Sequence, residues 1–307
     1  MSARHLQIAI VGDLHGQWDG LDEEILTLLA PDAVLVVGDL GEGNDRISRA
    51  IGALGDHAAC VLGNHDAARD ASGTTLQRQL TLLGDVHCGW GRRLLRPSGL
   101  AVVGGRPASP GGGHCISAAV RAIWGDVAAQ DSMARIVKAA AGVPTGTPLV
   151  LLAHAGPTGL GGQAHDPCGR DWRRPAVDWG DQDLAHAIHA IRRRRPVPLV
   201  VFGHMHHRLR HAARQRISFV RDHCGTAYLN AAAVPRHCHH PRHGELRHFA
   251  WAELYGDLLI SASQRWYGRR GTLVYCEELH RVEASGREPD HGIASKLWAP
   301  RRLAALA

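Results

Sequence analysis

Short apolar runs alternate with amphipathic stretches along the first part of this chain. Residues 5–11, 33–37 and 58–62 are predicted to be buried strands, because both alternating faces of each run are apolar. Helices are predicted between them at residues 19–29 and from the N-cap residue Asn44 to about residue 54. This β-α-β-α-β order favours a sheet that is covered on both faces.

The same alternation continues through the rest of the chain. Further helices are predicted at residues 72–83, 117–129, 132–140 and 183–193. Further strands are predicted at residues 92–96, 100–104, 149–153, 198–202, 216–220, 228–230, 246–254 and 258–265. We expect the last four of these, from residue 216 onward, to complete a second sheet.

Polar blocks follow five of the apolar runs directly. In chain order they are Gly12-Asp13-Leu14-His15-Gly16, Gly38-Asp39, Gly63-Asn64-His65-Asp66, Leu152-Ala153-His154-Ala155-Gly156 and Gly203-His204-Met205-His206. A single Gly-Asp after a strand is usually a turn, and a single His is usually a hydrogen-bonded core residue. Because open α/β sheets build their sites at the carboxyl ends of strands, the whole ordered set instead predicts a centre that holds two metal ions.

These blocks identify the chain as similar to the calcineurin-like metallophosphoesterases, over about residues 8–206 and more loosely to about residue 259. The resemblance implies an α/β fold, a four-layer α/β/β/α sandwich with two mixed sheets. It implies a single domain over residues 1–285, with loop insertions near 105–131 and 156–180. We interpret residues 286–307 as a polar C-terminal tail.

The resemblance also implies a ligand set. Asp39 corresponds to the residue that bridges the metals. The ligands of one metal would be Asp13, His15 and His206, and those of the other Asn64, His154 and His204. Nitrogen and oxygen ligands suit Mn, Fe, Zn, Ni or Co without selecting among them. Two such cations activate a bridging hydroxide and hold the attacking and leaving oxygens in line.

His65 follows Asn64 and resembles the family's catalytic histidine that is not a ligand. Its expected role is to stabilise the transition-state oxygens and to protonate the leaving group. Asp66 is a candidate to orient His65, as carboxylates near metal sites do. A cap for the following segment is an equally good interpretation of Asp66, because Asp is a favoured N-cap residue.

The block after Asp39 departs from the pattern of the protein serine/threonine phosphatases. Those enzymes continue with an Asp and an Arg; here Glu42 stands near the position of the Asp, and the Arg is absent. The run from His154 through Gly156 and Pro157 looks more like the phosphodiesterase branch. The sequence therefore predicts hydrolysis of a small phosphate ester, with a diester preferred over a monoester. A nuclease and a non-catalytic binding scaffold are the alternatives, and the complete ligand set argues against a scaffold.

Two arginines in loops are candidate substrate-binding residues. Arg106 follows the predicted strand 100–104, and Arg170 lies in the predicted loop 156–180. Either could hold a phosphate through its two-pronged guanidinium, but an exposed Arg in a flexible loop is an equally ordinary interpretation. The run from residue 165 to residue 172 resembles a subgroup of metallophosphoesterases from cyanobacteria and plant plastids, a likeness that implies no substrate.

Composition adds little to this assignment. The net charge is +6 and almost all basic residues are arginines, which leaves nucleic acid as a less favoured partner. The scattered cysteines, Cys168 among them, are expected to be reduced. The His-rich stretch 236–243 could bind metal, but adventitious binding or a solvated loop is the more ordinary interpretation of such a tract. No apolar run is long enough to span a membrane, and the chain leads directly into its first strand, so we expect a cytoplasmic protein. Composition carries no indication of oligomeric state.

Overall fold

A computed structural model describes residues 4–282 of the chain. Its strands are β1 (His5–Val11), β2 (Ala33–Val36), β3 (Ala58–Cys60), β4 (Arg92–Leu95), β5 (Leu100–Gly104), β6 (Leu149–Leu152), β7 (Leu199–Phe202), β8 (Phe219–Arg221), β9 (Ala227–Asn230), β10 (His237–His240), β11 (Gly244–Tyr255), β12 (Leu258–Tyr267) and β13 (Leu273–Arg281). Its helices are α1 (Gly20–Leu29), α2 (Asp45–Ala53), α3 (Thr74–Leu83), α4 (Ala118–Trp124), α5 (Ala129–Ala141) and α6 (Gln182–Arg192). The tail predicted at 286–307 lies outside the described residues.

The strands form two mixed sheets. The first is seven-stranded, in the order β13-β12-β11-β1-β2-β3, and β10 pairs with β11. In it, β1, β2 and β3 run parallel, while β11 pairs with β1 in the antiparallel direction. The second is six-stranded, in the order β4-β5-β6-β7-β9-β8, with β5, β6, β7 and β9 parallel.

The two faces of β1 show how the layers are arranged. Ile8 and Ile10 are fully buried in a cluster with Val102 and Val150, which belong to the second sheet. Successive side chains of a strand point to opposite faces. Ala9 and Val11 accordingly join the cluster that contains Ile25 and other helix residues. Two sheets therefore pack face to face between outer helices, which confirms the predicted α/β/β/α sandwich.

Helix starts follow the capping residues of the sequence. The Asn44 side chain accepts a hydrogen bond from the backbone N–H of Arg46 (3.0 Å), so the predicted N-cap of α2 is confirmed. Asp19 and Asp22 form a reciprocal capping box at the start of α1. Within residues 4–282, no helix is long and apolar enough to cross a membrane.

The C-terminal strands correct the predicted topology. β8 and β9 join the second sheet as expected, but β11 and β12 extend the first sheet from β1. Apolar alternation identifies a strand without naming its partner, which is why this expectation was wrong. In place of the strand predicted at 216–220, the structure has the shorter β8 (Phe219–Arg221). The edge strand β13 was not predicted, because most of its residues are exposed and give no apolar pattern.

The His-rich stretch is not a solvated loop. It contains β10, whose residue Cys238 pairs with Leu246 of β11. Arg236, just before β10, is fully buried and forms an ion pair with the equally buried Asp22 (Nη2–Oδ1 2.7 Å). The guanidinium of Arg236 also donates to the backbone oxygen of Gln17 (2.8 Å). The solvated loop was expected from composition alone, and composition does not reveal that the partner of Arg236 lies in α1, more than two hundred residues earlier in the chain.

Arg236→Ala should destabilise the fold by about 3 kcal/mol, because it removes the cation nearest to the buried Asp22 carboxylate and leaves only His237 (2.9 Å) and the more distant Arg247 (3.9 Å) beside it. The measurement is urea unfolding at neutral pH. The control is Arg242→Ala, which removes an exposed arginine with no ion pair within the described residues and should stay within about 0.5 kcal/mol of the parent. Equal effects of the two substitutions would contradict this role of the buried pair.

Candidate metal centre

The polar blocks converge where the carboxyl ends of the two sheets meet. Val37, just after β2 in the first sheet, accepts a hydrogen bond from Nδ1–H of His154, just after β6 in the second (2.8 Å). The backbone oxygen of His154 in turn accepts from the N–H of Gly203, which follows β7 (2.8 Å). These two hydrogen bonds connect loops of both sheets, so that side chains distant in sequence lie in one site.

One group of ligand-type side chains is Asp13, His15 and His206. Their ligand atoms all lie within 4.8 Å of one another. Nε2 of His206 is 3.3 Å from Oδ2 of Asp13 and 3.2 Å from Nε2 of His15. A cation at this place would meet two imidazole nitrogens and a carboxylate, which are ordinary ligands of a transition-metal ion.

A second group surrounds His154. Its Nε2 lies 2.9 Å from Oδ1 of Asn64 and 3.5 Å from Oδ1 of Asp39. The His204 ring stands edge-on to the His154 ring, with 5.1 Å between centroids. Oδ2 of Asp39 is also 3.7 Å from Nε2 of His15. Asp39 therefore stands between the two groups, the position that a bridging carboxylate requires.

The backbone is strained at three of these side chains. His15, Asp39 and His204 have φ angles of 43°, 49° and 64°, in the left-handed region that residues other than glycine rarely adopt. Such conformations cost about 1–3 kcal/mol each and persist where the surrounding structure enforces them. Three of the candidate ligands are thus held in a backbone conformation that the surrounding structure must enforce.

Glycines allow the loops to approach the ligands closely. A methyl group at Gly203 would overlap Oδ1 of Asp13, and one at Gly63 would overlap Oδ1 of Asp39. These two glycines are needed for space rather than for their backbone angles, because their φ values are not in the left-handed region. At Gly63 and Gly203 the backbone thus lies where a side chain would displace a carboxylate.

The electrostatics of the site fit a bound cation. Asp13 and Asp39 are almost fully buried. Burial raises the pKa of Asp39 well above its ordinary value, and the nearby Asp13 carboxylate raises it further. Burial opposes ionisation of Asp13 too, but the hydrogen bond from His206 and the nearby imidazoles hold the pKa of Asp13 below its usual range. Two buried carboxylates side by side need positive charge between them.

The His204 ring is in the neutral form that binds metal. Burial lowers the pKa of His204 to about 3, so its ring is neutral at neutral pH. Its Nε2 is buried and has no hydrogen-bond partner, and an unpaired buried nitrogen is costly unless something binds it. His154 already donates from Nδ1 to Val37, which leaves Nε2 to face the centre. These donors fit divalent cations.

Asp66 holds the centre together without contacting His65. Its carboxylate accepts hydrogen bonds from the backbone N–H groups of Leu40 (2.7 Å) and Gly63 (2.8 Å). It thereby joins the loop that carries Asp39 to the loop that carries Asn64. By accepting the bond from Gly63, Asp66 caps the short 3-10 turn Asn64–Ala67. This turn contains Asp66 itself, whereas the sequence suggested a cap for the segment that follows.

The carboxylate beside His65 is that of Glu42. Its Oε1 lies 3.7 Å from Nδ1 of His65, and both side chains are largely exposed. The backbone N–H of His65 donates to Oδ1 of Asp39 (2.9 Å), which fixes His65 relative to the central carboxylate. Sequence reasoning noted Glu42 without giving it a role. The signal was its place three residues after Asp39, near the position where the related phosphatases carry an Asp.

The prediction that Arg106 lies on an open loop above the metals is wrong. The Arg106 side chain is 1% exposed, and its guanidinium pairs with Asp181 (Nη2–Oδ1 2.5 Å) and Asp183 (Nε–Oδ2 3.2 Å). It also donates to the backbone oxygen of Gly113 (3.2 Å). Its charge anchors the loop after β5 to the start of α6. The sequence did not reveal this, because Asp181 lies 75 residues further along.

Arg170 lies in the long loop 156–180, as expected, but part of its bonding capacity is used locally. Its Nη2 donates to the backbone oxygen of Pro175 (2.8 Å), and its guanidinium lies 5.0 Å from the centre of the Trp179 ring. Nearby, Cys168 is 1% exposed. Burial raises the pKa of the Cys168 thiol well above its ordinary value, so it stays protonated and unreactive.

Comparison with known proteins agrees with this architecture. The family model described as calcineurin-like phosphoesterase matches residues 6–208, and the chain belongs to this family. No curated protein shows significant similarity to the chain.

Solved structures are similar to the chain at low identity. The protein TT1561 of Thermus thermophilus is 12% identical, covers 80% of this chain and 94% of its own, and has a TM-score of 0.48. A hypothetical protein from the same organism is 15% identical, with coverages of 86% and 100% and a TM-score of 0.47. Another solved structure is 14% identical, with coverages of 82% and 95% and a TM-score of 0.50. At such identities a likeness bears on the fold alone.

Gly203→Ala should lower the affinity for divalent metal by roughly 10–100-fold, because the added methyl group displaces the Asp13 carboxylate. Calorimetric titration of metal-free protein with Mn measures the change. Gly20→Ala is the matched control, since a methyl group there meets nothing within 4 Å. Unchanged metal affinity in the Gly203 variant would show that Asp13 does not bind the metal.

Proposed function

We propose that this chain is a hydrolase that cleaves phosphate esters with the help of two divalent cations. The observation that carries the proposal is the cluster to which every one of the five polar blocks contributes a ligand-type side chain, with the buried Asp39 at its middle. A non-catalytic scaffold has no need of that cluster, nor of an exposed His65 beside it.

In this proposal the two groups hold one cation each, and Asp39 contacts both. The ligand sets are Asp13, His15 and His206 for one cation and Asn64, His154 and His204 for the other. When bound, such a pair of Mn, Fe, Zn, Ni or Co ions supplies a nucleophile at neutral pH and neutralises charge on the phosphate. The Nδ1 hydrogen bond to Val37 keeps the His154 ring oriented, and the unpaired Nε2 of His204 is available to a cation.

His65 is the candidate catalytic residue. Its ring is half exposed and packs edge-on against His15, with 5.2 Å between centroids, so it borders the cluster on the solvent side. A phosphate ester entering from solvent would meet this ring with its leaving oxygen. His65 would then donate a proton to that oxygen, and Glu42, whose Oε1 lies 3.7 Å from Nδ1 of His65, would orient the ring.

A small phosphodiester is the proposed substrate class. The support is the block after Asp39, Leu40-Gly41-Glu42-Gly43, which lacks the arginine of the protein phosphatases, and the run from His154 to Pro157. Arg106 does not support this substrate class, because its guanidinium is paired with Asp181 and Asp183. A phosphomonoester and a nucleic acid strand are the competing substrates, and the experiment below distinguishes them.

Metal-free protein should bind about two Mn ions per chain and then hydrolyse bis(4-nitrophenyl) phosphate faster than 4-nitrophenyl phosphate or a phosphopeptide. Elemental analysis and initial rates under one metal condition make the comparison, and a single-stranded oligonucleotide tests the nuclease alternative. Protein that binds no divalent ion would refute the central proposal. A preference for the phosphopeptide would refute the substrate class alone.

His65→Ala should lower kcat by roughly 10²–10⁴-fold while metal content stays near that of the parent, because His65 donates a proton but is not a ligand. Asp39→Asn should lower both activity and metal content, since it removes the central charge. Glu42→Gln should lower kcat with little change in KM, and Glu42→Asp should restore part of the loss. Loss of metal in the His65 variant would mean that His65 is a ligand instead.

A further inference from the structure

Next to the metal centre lies a pocket of about 560 Å³, formed by the long loop 156–180 and by the segment after His206. We call it the arginine pocket, because its lining includes Arg170, Arg173, Arg174 and His211. Pockets of roughly 300–1,000 Å³ hold small ligands in many proteins. Neither the family match nor the metal ligands assign a role to this space.

The arginine pocket is close to the metal centre and rigidly joined to it. Leu209 in its wall is only three residues after His206, so their Cα atoms lie within about 11 Å of each other. Buried Arg216 connects the two sides: its Nε donates to the backbone oxygen of His206 (3.0 Å) and its Nη1 to that of Gly169 (2.6 Å). These bonds fix the pocket wall in position relative to the backbone of the ligand-type residue His206.

Positive charge in the arginine pocket is left without internal compensation. Arg173 and Arg174 are exposed and have no ion pair within residues 4–282. The acidic side chain that lines the pocket is Asp171, and it is already engaged: Oδ2 accepts from the backbone N–H of Arg210 (2.8 Å), and Oδ1 lies 3.7 Å from Nη2 of Arg216.

The pocket is also partly preorganised for an anion. Arg170 is held over the Trp179 ring and bonded to Pro175, which limits the conformations that binding would have to restrict. Guanidinium groups present paired N–H donors that match the oxygens of a phosphate. Several of them around one cavity suit a dianionic phosphate better than a neutral group.

We propose that the arginine pocket binds a second phosphate of the substrate, one that is not cleaved. This inference rests on the proposed function and narrows its substrate class to esters that carry at least two phosphate groups. The scissile phosphate would lie at the metal centre, and the other would be held by Arg173 and Arg174, with Arg170 beside them. A small bisphosphate and a short nucleic acid strand share this chemistry, and the test separates them.

The test measures binding to Mn-loaded protein by calorimetry, so it does not depend on turnover. The probes are adenosine 5′-monophosphate, adenosine 3′,5′-bisphosphate and a single-stranded tetranucleotide. The bisphosphate should bind at least about tenfold more tightly than the monophosphate, because it alone can occupy both places. In the double variant Arg173→Gln/Arg174→Gln this ratio should fall to about threefold or less.

The matched control is Arg193→Gln/Arg194→Gln, which removes two exposed arginines that also lack ion pairs within the described residues. They follow α6 and precede β7, so they lie at the end of β7 opposite to the metal centre. This variant should keep the parent's ratio. Since all four arginines are at the surface, both double variants should unfold at the parent's midpoint.

Equal affinity for the monophosphate and the bisphosphate in the parent protein would overturn the inference, as would a ratio that the pocket variant leaves unchanged. A gain seen for the tetranucleotide alone would overturn the small-molecule form of it. Hydrolysis of bis(4-nitrophenyl) phosphate is followed in parallel. If the affinity ratio depends on the arginines but no ester is hydrolysed, the proposed function is refuted and the phosphate-binding role of the pocket is supported. If the ester is hydrolysed but the ratio does not depend on the arginines, the role of the pocket is refuted and the proposed function is supported.

Discussion

Two buried carboxylates placed next to each other are the constraint on which this structure depends. Asp13 and Asp39 come from neighbouring strands of the first sheet, and both are almost inaccessible to water. The pKa of Asp39 lies well above its ordinary value because burial and the Asp13 charge both disfavour its ionised form. Two such carboxylates are unfavourable side by side without a cation. A divalent cation bound between them would remove this repulsion.

Several features of the surrounding structure keep this arrangement in place. The left-handed backbone at His15, Asp39 and His204 can persist only because neighbouring elements enforce it. Asp66 ties two ligand loops together through backbone N–H groups, and the bond from His154 to Val37 ties one sheet to the other. These ligand-type side chains are thus held in place by hydrogen bonds and backbone of the protein itself.

The sequence predicted those parts of the molecule that depend on local pattern. Strand ends followed by ligand-type residues predicted which side chains would converge at one place, and Asn44 predicted the start of α2. Prediction from the sequence failed where the environment of a side chain depends on a partner far along the chain. Arg106 was placed in an open loop because Asp181 and Asp183 are far along the chain, and the stretch around Arg236 was interpreted as solvated because Asp22 is distant. A polar residue's environment is a tertiary property, and composition does not encode it.

The pairing of β11 with β1 also limits how the chain can be divided. The family match ends at residue 208, yet β11 pairs along the length of β1, from His5 opposite Tyr255 to Ile10 opposite Ala250. A fragment cut at that boundary would leave β1 with an open row of backbone N–H and C=O groups, which invites association with other chains. It would also lose β9, the neighbour of β7. The matched segment is therefore a region of sequence similarity but not a separable folding unit, and its solubility depends on the strands that follow it.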